Sequence, residues 1–235
     1  MVTATETMRH ATEGEVAIEF QEQGCGEALI LLHGLGCSAS DWALQMPALS
    51  EKYRVIAPSL RGFGNSDKPE GPMTVMKYAD DVVALLDSLN ITRAHVMGHS
   101  MGGAVALQLA VAHPERLNSL IVINSQASFA VRDWRRYLVV LVRLLAGGPA
   151  GMEKLSRFLA RRLFPKDHQA DLRRHMVSQY KQNDSRAYLA AIEALAGWSV
   201  EDLVDRVATP TLVVAGEYDV TPVAAAREFA ERLPM

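Results

Sequence analysis

Five residues, Gly98-His99-Ser100-Met101-Gly102, lie between an apolar run at 94–97 and a helix-like run at 103–112. A chain that passes from strand to helix in so few residues must turn sharply, and glycines at 98 and 102 let the backbone through without side-chain collision. The serine at the tip is then held clear of the strand, with the first amides and the positive dipole end of the following helix aimed at it. This G-x-S-x-G elbow needs a fold in which strands alternate with helices.

The rest of the chain keeps that alternation. β-rich apolar runs at 16–21, 28–32, 54–57, 94–97, 119–123 and 211–215 are separated by helical patterns at 40–51, 74–89, 103–112 and 222–233. The order predicts an α/β fold, a mostly parallel sheet with helices on both faces and an antiparallel first strand. Val105, Leu107, Leu109 and Val111 stand among alanines, so the helix beneath the elbow should be buried on much of its circumference. From 125 to 200 the pattern is helical throughout, broken at Gly147-Gly148-Pro149 and Phe164-Pro165, and reads as a lid inserted into the sheet domain. The expected organisation is a core of 1–124 and 201–235 with a helical lid at 125–200. Apolar stripes interleaved with arginine at 138–145 and 155–163 suit helices lying over an apolar cavity, and equally suit helices packed on each other. Residues 1–14 are polar and read as a frayed lead-in.

With 235 residues, 49% hydrophobic and 22% charged, the chain can bury one sizeable core. A net charge of -3 without blocks of like charge argues against a nucleic-acid partner. The most apolar window, 137–146, is about half the roughly 20 residues of a membrane span and contains Arg143, so no membrane association is expected. The N-terminal segment lacks the apolar stretch of a secretion signal. Only two cysteines occur, Cys25 and Cys37, neither spaced with other Cys or His as a metal ligand, and both read as small buried hydrophobes. These features predict a cytoplasmic protein that takes a small molecule and needs no metal or cofactor. They say nothing of oligomeric state.

The elbow suits acyl transfer, with Ser100 as nucleophile and the Met101 N–H as a donor to the oxyanion that forms on the attacked carbonyl. His33-Gly34-Leu35-Gly36 follows the run at 28–32, where the second donor belongs, and the Leu35 N–H is the expected one. His33 is read as a brace for that loop and, more weakly, as a pocket residue. Trp134, Tyr137 and Trp198 are candidate pocket or gate residues, with core packing the competing reading. Gly216-Glu217-Tyr218-Asp219 follows the last strand, where an acid would orient a triad histidine, and Asp219 is the candidate. Asp219 also suits a helix N-terminus before Thr221-Pro222.

From about residue 16 to residue 233 these features resemble the α/β-hydrolase family. Arg61-Gly62-Phe63-Gly64-Asn65-Ser66-Asp67-Lys68-Pro69 is similar to the family's R-G-x-G-x-S loop, which supports the helix after the fourth strand. Ser59 departs from the pattern, since members commonly have Asp two residues before that Arg; the departure implies a weakened local bridge. A serine nucleophile sets the chain apart from the haloalkane dehalogenase and epoxide hydrolase branches and leaves esterase, lactonase, carbon-carbon bond hydrolase and cofactor-free haloperoxidase activities open. Asn124 occupies a place some relatives use for the acid, but it is uncharged.

The resemblance also places the base in a Gly-His pair beyond one more strand, and the chain reaches Met235 first. His10, His33, His95, His99 and His113 are rejected as bases by position, whereas His168 and His175 lie in the lid and could in principle reach down to Ser100. The expectation is a carboxylic ester or lactone hydrolase seen without its last strand, helix and base. Without a base, triad logic predicts activity lower by about 10⁶, with about 10³ to 10⁴ over water remaining. The alternatives are a small-molecule binding or sensor protein of the same fold and a non-functional fragment.

Overall fold

The computed structural model describes residues 6–11, 16–131, 137–138, 140–141, 149–217, 219 and 223–234. Among these, seven strands form one sheet: β1 (Glu6–Ala11), β2 (Ala17–Gln23), β3 (Glu27–Leu32), β4 (Tyr53–Pro58), β5 (Ala94–His99), β6 (Leu117–Ile123) and β7 (Thr211–Val214). Their order is β1-β2-β4-β3-β5-β6-β7, with β1 and β2 antiparallel at one edge and the other five mutually parallel. The expected α/β architecture is therefore present. Residues 6–11 are not a frayed lead-in: their backbone pairs with β2 over the full length of β1, and the polar composition suits a strand at the sheet edge.

The expected helix at 40–51 is instead a 3-10 turn, Ala39–Trp42, followed by the short helix α1 (Met46–Leu49). Trp42 and Met46 point onto β3 and β4, where they form a small core with Leu29, Leu31, Val55 and Ala57. Helix α2 (Val75–Ser88) is capped by Thr74, whose side chain accepts from the Lys77 amide. With α3 (Met101–Ala112) it covers the opposite face, where Ile30, Leu32, Ile56, Val96, Leu120 and Val122 anchor the larger core. Helix α3 is buried from Met101 through Ala110, as its apolar circumference requires.

Between β6 and β7 the chain holds α4 (Pro149–Leu163), α5 (Ala170–Lys181) and α6 (Ser185–Ala196). The segments that enter and leave this insertion are zipped together: the Val131 amide donates to Ala196, Phe129 to Trp198 and Val200 to Ala127. Helix α7 (Val223–Glu231) follows β7 and buries Ala226 and Phe229. No described helix is long and apolar enough to cross a membrane, and no described cluster of His, Cys, Asp and Glu could hold a metal ion.

The loop after β4 is clamped on both sides. Arg61 makes a two-pronged ion pair with Asp81 of α2, and Asp67 accepts from the Ala17 amide at 2.8 Å. At Ser59, where the resemblance implies a weakened local bridge, the side chain is hydrogen-bonded on two sides. Its hydroxyl accepts from the Ala39 amide at 3.1 Å and donates to Glu19 at 3.0 Å, so Glu19 of β2 brings a carboxylate beside position 59, which has none of its own.

Candidate functional site

In a parallel sheet, ligands bind where the strand order reverses, because loops there diverge and open a crevice at the carboxyl ends of the strands. Here the reversal falls at β3, whose neighbours β4 and β5 lie on opposite sides. The loops that follow β3 and β5 carry His33–Gly36 and Ser100, the two motifs the sequence singles out.

Ser100 joins β5 to α3 with φ 53° and ψ -114°, a backbone state costly for a side-chain-bearing residue, on the order of 1–3 kcal/mol. The surroundings impose it. A Cβ at Gly98 would sit 2.2 Å from the Gly102 oxygen, and one at Gly102 would sit 2.2 Å from the Leu32 oxygen, so backbone meets backbone at both positions. The Ser100 amide donates to Ile123 at 2.9 Å, and the Ser125 hydroxyl donates to the Ser100 carbonyl at 2.7 Å. Met101 opens α3, so its N–H has no acceptor within the helix.

The loop after β3 is a tight turn in which the Cys37 amide donates to the Gly34 oxygen at 3.1 Å and Gly36 adopts φ 78°. It lies against the elbow: a Cβ at Gly34 would fall 3.5 Å from the Ser100 Cβ and 3.1 Å from His99 Nδ1. His33 is buried beneath it. The Leu60 amide can only donate, so His33 Nε2 accepts at 2.9 Å and Nδ1 carries the proton it gives to the Gly34 oxygen at 2.8 Å. Burial holds the His33 ring below the usual histidine range, against the opposing pull of that hydrogen bond and of Asp41. The residue is a neutral brace, and both ring nitrogens are committed to the protein.

Asp219 follows β7, two strands from β5. Its amide donates to Gly216 at 3.2 Å, and the Gly216 amide donates to the Asn124 side-chain oxygen at 2.7 Å. Asn124 itself leaves β6 at φ 47°. Its amide group thus ties the acid loop to the strand next to the elbow, a role that the missing charge alone would not suggest. His99 is lowered from the usual histidine range by burial, with the carboxylates of Asp219 and Asp41 partly opposing that shift.

Other candidates land elsewhere. Trp198 is buried, with its Nε1 donating to Gln108 of α3 at 2.9 Å and its ring beside Phe129, so it anchors the exit of the insertion in the core. Tyr137 is exposed, and Trp134 lies outside the described residues. His168 and His175 are exposed. Of the remaining described histidines, His95 bonds Ser119 and Glu27, and His113 lies near Asp80 and Glu115. Cys25 is exposed rather than buried, whereas Cys37 is half-buried with its thiol pushed up by burial and by Asp41. Ser125, Tyr180 and Asn183, which brace the loops of the site, carry no motif and went unread in the sequence.

The family described as alpha/beta hydrolase fold matches residues 27–235, and the chain belongs to it. Among its relatives is the 3-oxoadipate enol-lactonase 2 of Acinetobacter baylyi, 32% identical over 94% of this chain and 84% of that protein. A pimeloyl-[acyl-carrier protein] methyl ester esterase of Aeromonas hydrophila is 34% identical over 93% of this chain and 88% of its own. The crystal structure of the enol-lactonase from Burkholderia xenovorans LB400 superposes with a TM-score of 0.86 at 26% identity, over 96% of this chain and 88% of that one.

Proposed function

We propose that the protein hydrolyses small carboxylic esters or lactones through an acyl intermediate on Ser100. The observation that carries the reading is the strained Ser100 backbone at the strand-order reversal, packed against the loop that presents Leu35. In this reading the Ser100 oxygen attacks the acyl carbon, and the Leu35 and Met101 amides receive the negative charge that develops on the carbonyl oxygen. The alcohol or ring oxygen leaves with a proton, and water then releases the acid from Ser100. Asp219 is assigned to the orientation of a histidine base. The kinship to an enol-lactonase and a methyl ester esterase supports the substrate class.

None of the described histidines is assigned as that base. Turnover by this chain is therefore expected at about 10³ to 10⁴ over water, the share that oxyanion donors and binding supply alone. Release of nitrophenol from short-chain p-nitrophenyl esters, with and without added imidazole, tests the assignment. Imidazole should raise the rate beyond its own background, and Ser100→Ala should remove that stimulation while leaving the basal rate, which needs no nucleophile. Imidazole stimulation that persists in Ser100→Ala would remove the serine mechanism. A ligand affinity that survives this substitution, without any turnover, would favour the binding-protein reading instead.

A further inference from the structure

The turn that presents Leu35 is held from two directions. From the sheet domain, His33 reaches Leu60 and the Gly34 oxygen. From the helical insertion, the Tyr180 hydroxyl at the end of α5 donates to the Leu35 oxygen at 2.7 Å, and the Asn183 side-chain amide donates to the Gly36 oxygen at 2.8 Å. These contacts join residues 145 and 147 positions apart, so no local pattern announces them. The fit between the two parts is tight. A Cβ at Gly36 would lie 2.7 Å from two carbons of the Tyr180 ring, so only glycine permits both the φ of 78° and the seat of the tyrosine. Tyr180 is itself buried, edge-on to Tyr188 of α6 with ring centres 6.4 Å apart. The next corner of the insertion also touches the second loop, since a Cβ at Gly62 would meet the Ala187 Cβ at 3.0 Å.

In a turn of this type the peptide between the second and third residues can flip, which changes ψ of the second residue and φ of the third. Hydrogen bonds to the carbonyl oxygens of Leu35 and Gly36 fix that peptide and the next one. The Leu35 N–H belongs to the preceding peptide, whose Gly34 oxygen is held by His33 and the Cys37 amide, so with these bonds all three peptides of the turn are tied. Donors aimed in advance at the developing charge are worth most when they need not reorganise during the reaction.

We propose that Tyr180 and Asn183 are positioning residues that hold the oxyanion turn in its donating form, so that the helical insertion sets the strength of the oxyanion hole. The inference rests on the assignment of Ser100 and Leu35 above. It makes the docking of α5 onto the sheet domain a condition of catalysis as well as of substrate enclosure: an insertion that lifts away releases the turn.

The test uses an alkyl boronic acid, which forms a reversible tetrahedral adduct on a serine oxygen and places an anionic-like oxygen in the hole, and the corresponding primary alcohol, which occupies the same space without an adduct. Affinities are measured on the full chain by ¹¹B NMR and calorimetry. Tyr180→Phe, which deletes one oxygen, should weaken the boronate about tenfold, equivalent to about 1.4 kcal/mol, and leave the alcohol within twofold. Asn183→Ala should do the same and serves as the second variant if Tyr180→Phe folds poorly. Equal losses for boronate and alcohol, or no loss for either, would overturn the proposal while leaving the Ser100 assignment standing. A boronate that binds Ser100→Ala as tightly as the parent chain would overturn that assignment, and the positioning role with it.

Discussion

The carboxyl ends of β5 and β7 carry the two side chains assigned to the chemistry, and they are held by different means. At β5 the backbone is locked by contacts between main-chain atoms: neither Gly98 nor Gly102 can accept even a methyl group, and Ser100 keeps its strained conformation because the Ile123 oxygen and the Ser125 hydroxyl leave it no other. At β7, the edge of the described sheet, the Asn124 side chain accepts from the Gly216 amide and ties the loop to β6. That edge is also the less covered one, with Leu212 58% and Val214 41% exposed, whereas Val96 and the Leu107 helix beneath the elbow are fully buried. Rigidity in this site therefore follows burial of the backbone. Ser100 is fixed by steric exclusion, whereas the loop of Asp219 is tied to its neighbouring strand through a side-chain hydrogen bond.

The comparison can be broken at its strong end first. Gly102→Ala forces a Cβ into the Leu32 carbonyl and should cost about 3 kcal/mol, read from the midpoint of urea unfolding. A loss below about 1 kcal/mol would mean that the elbow yields and is not locked. At the weak end, Asn124→Gly deletes the amide while tolerating the φ of 47°. It should change stability by about 1 kcal/mol or less and speed hydrogen exchange of the Gly216 amide about tenfold, because that amide loses its acceptor. Exchange unchanged by this substitution would place the support of that loop elsewhere.

Histidine titration sharpens the same contrast. Burial lowers both His33 and His99 in the folded chain from the ordinary histidine value of 6.5, so each is neutral there under conditions that protonate it when unfolded. The unfolded state thus binds more protons as pH falls through 6.5 and toward the lowered folded-state values, and stability drops across that window. Above pH 6.5 both states are neutral and the contribution is fully present. Thermal melts between pH 5 and 8 should show this slope, and His33→Gln should flatten it; a slope that His33→Gln leaves intact would assign it to other groups. The smallest effect is expected at the exposed edge. Leu212→Lys should alter stability by no more than about 0.5 kcal/mol and reduce self-association in size-exclusion chromatography, as charge on an edge strand does.

Much of the framework was legible without coordinates. Six of the seven strands, the elbow, the loop after β3 and the buried helix α3 follow from apolar periodicity and glycine placement, which are local properties. β1 escaped because an edge strand needs no apolar face, and its pairing with β2 is not written in its own residues. The helix expected at 40–51 shortened to a 3-10 turn and α1 because Trp42 and Met46 are drawn onto the sheet as a small core. For Trp198, which the sequence leaves between gate and core packing, the partner that seats its ring nitrogen in the core, Gln108, lies 90 residues away.

By itself, then, the sequence determined where the chain must turn tightly and which serine stands at the turn, because sterics at glycine and the strand and helix periods act over a few residues. What holds the turn that presents Leu35, how Asn124 moors the acid loop, and how Glu19 brings a carboxylate beside Ser59 were decided only by the tertiary structure. A hydrogen bond between groups far apart in the chain depends on the path of everything between them, and no local pattern encodes that path.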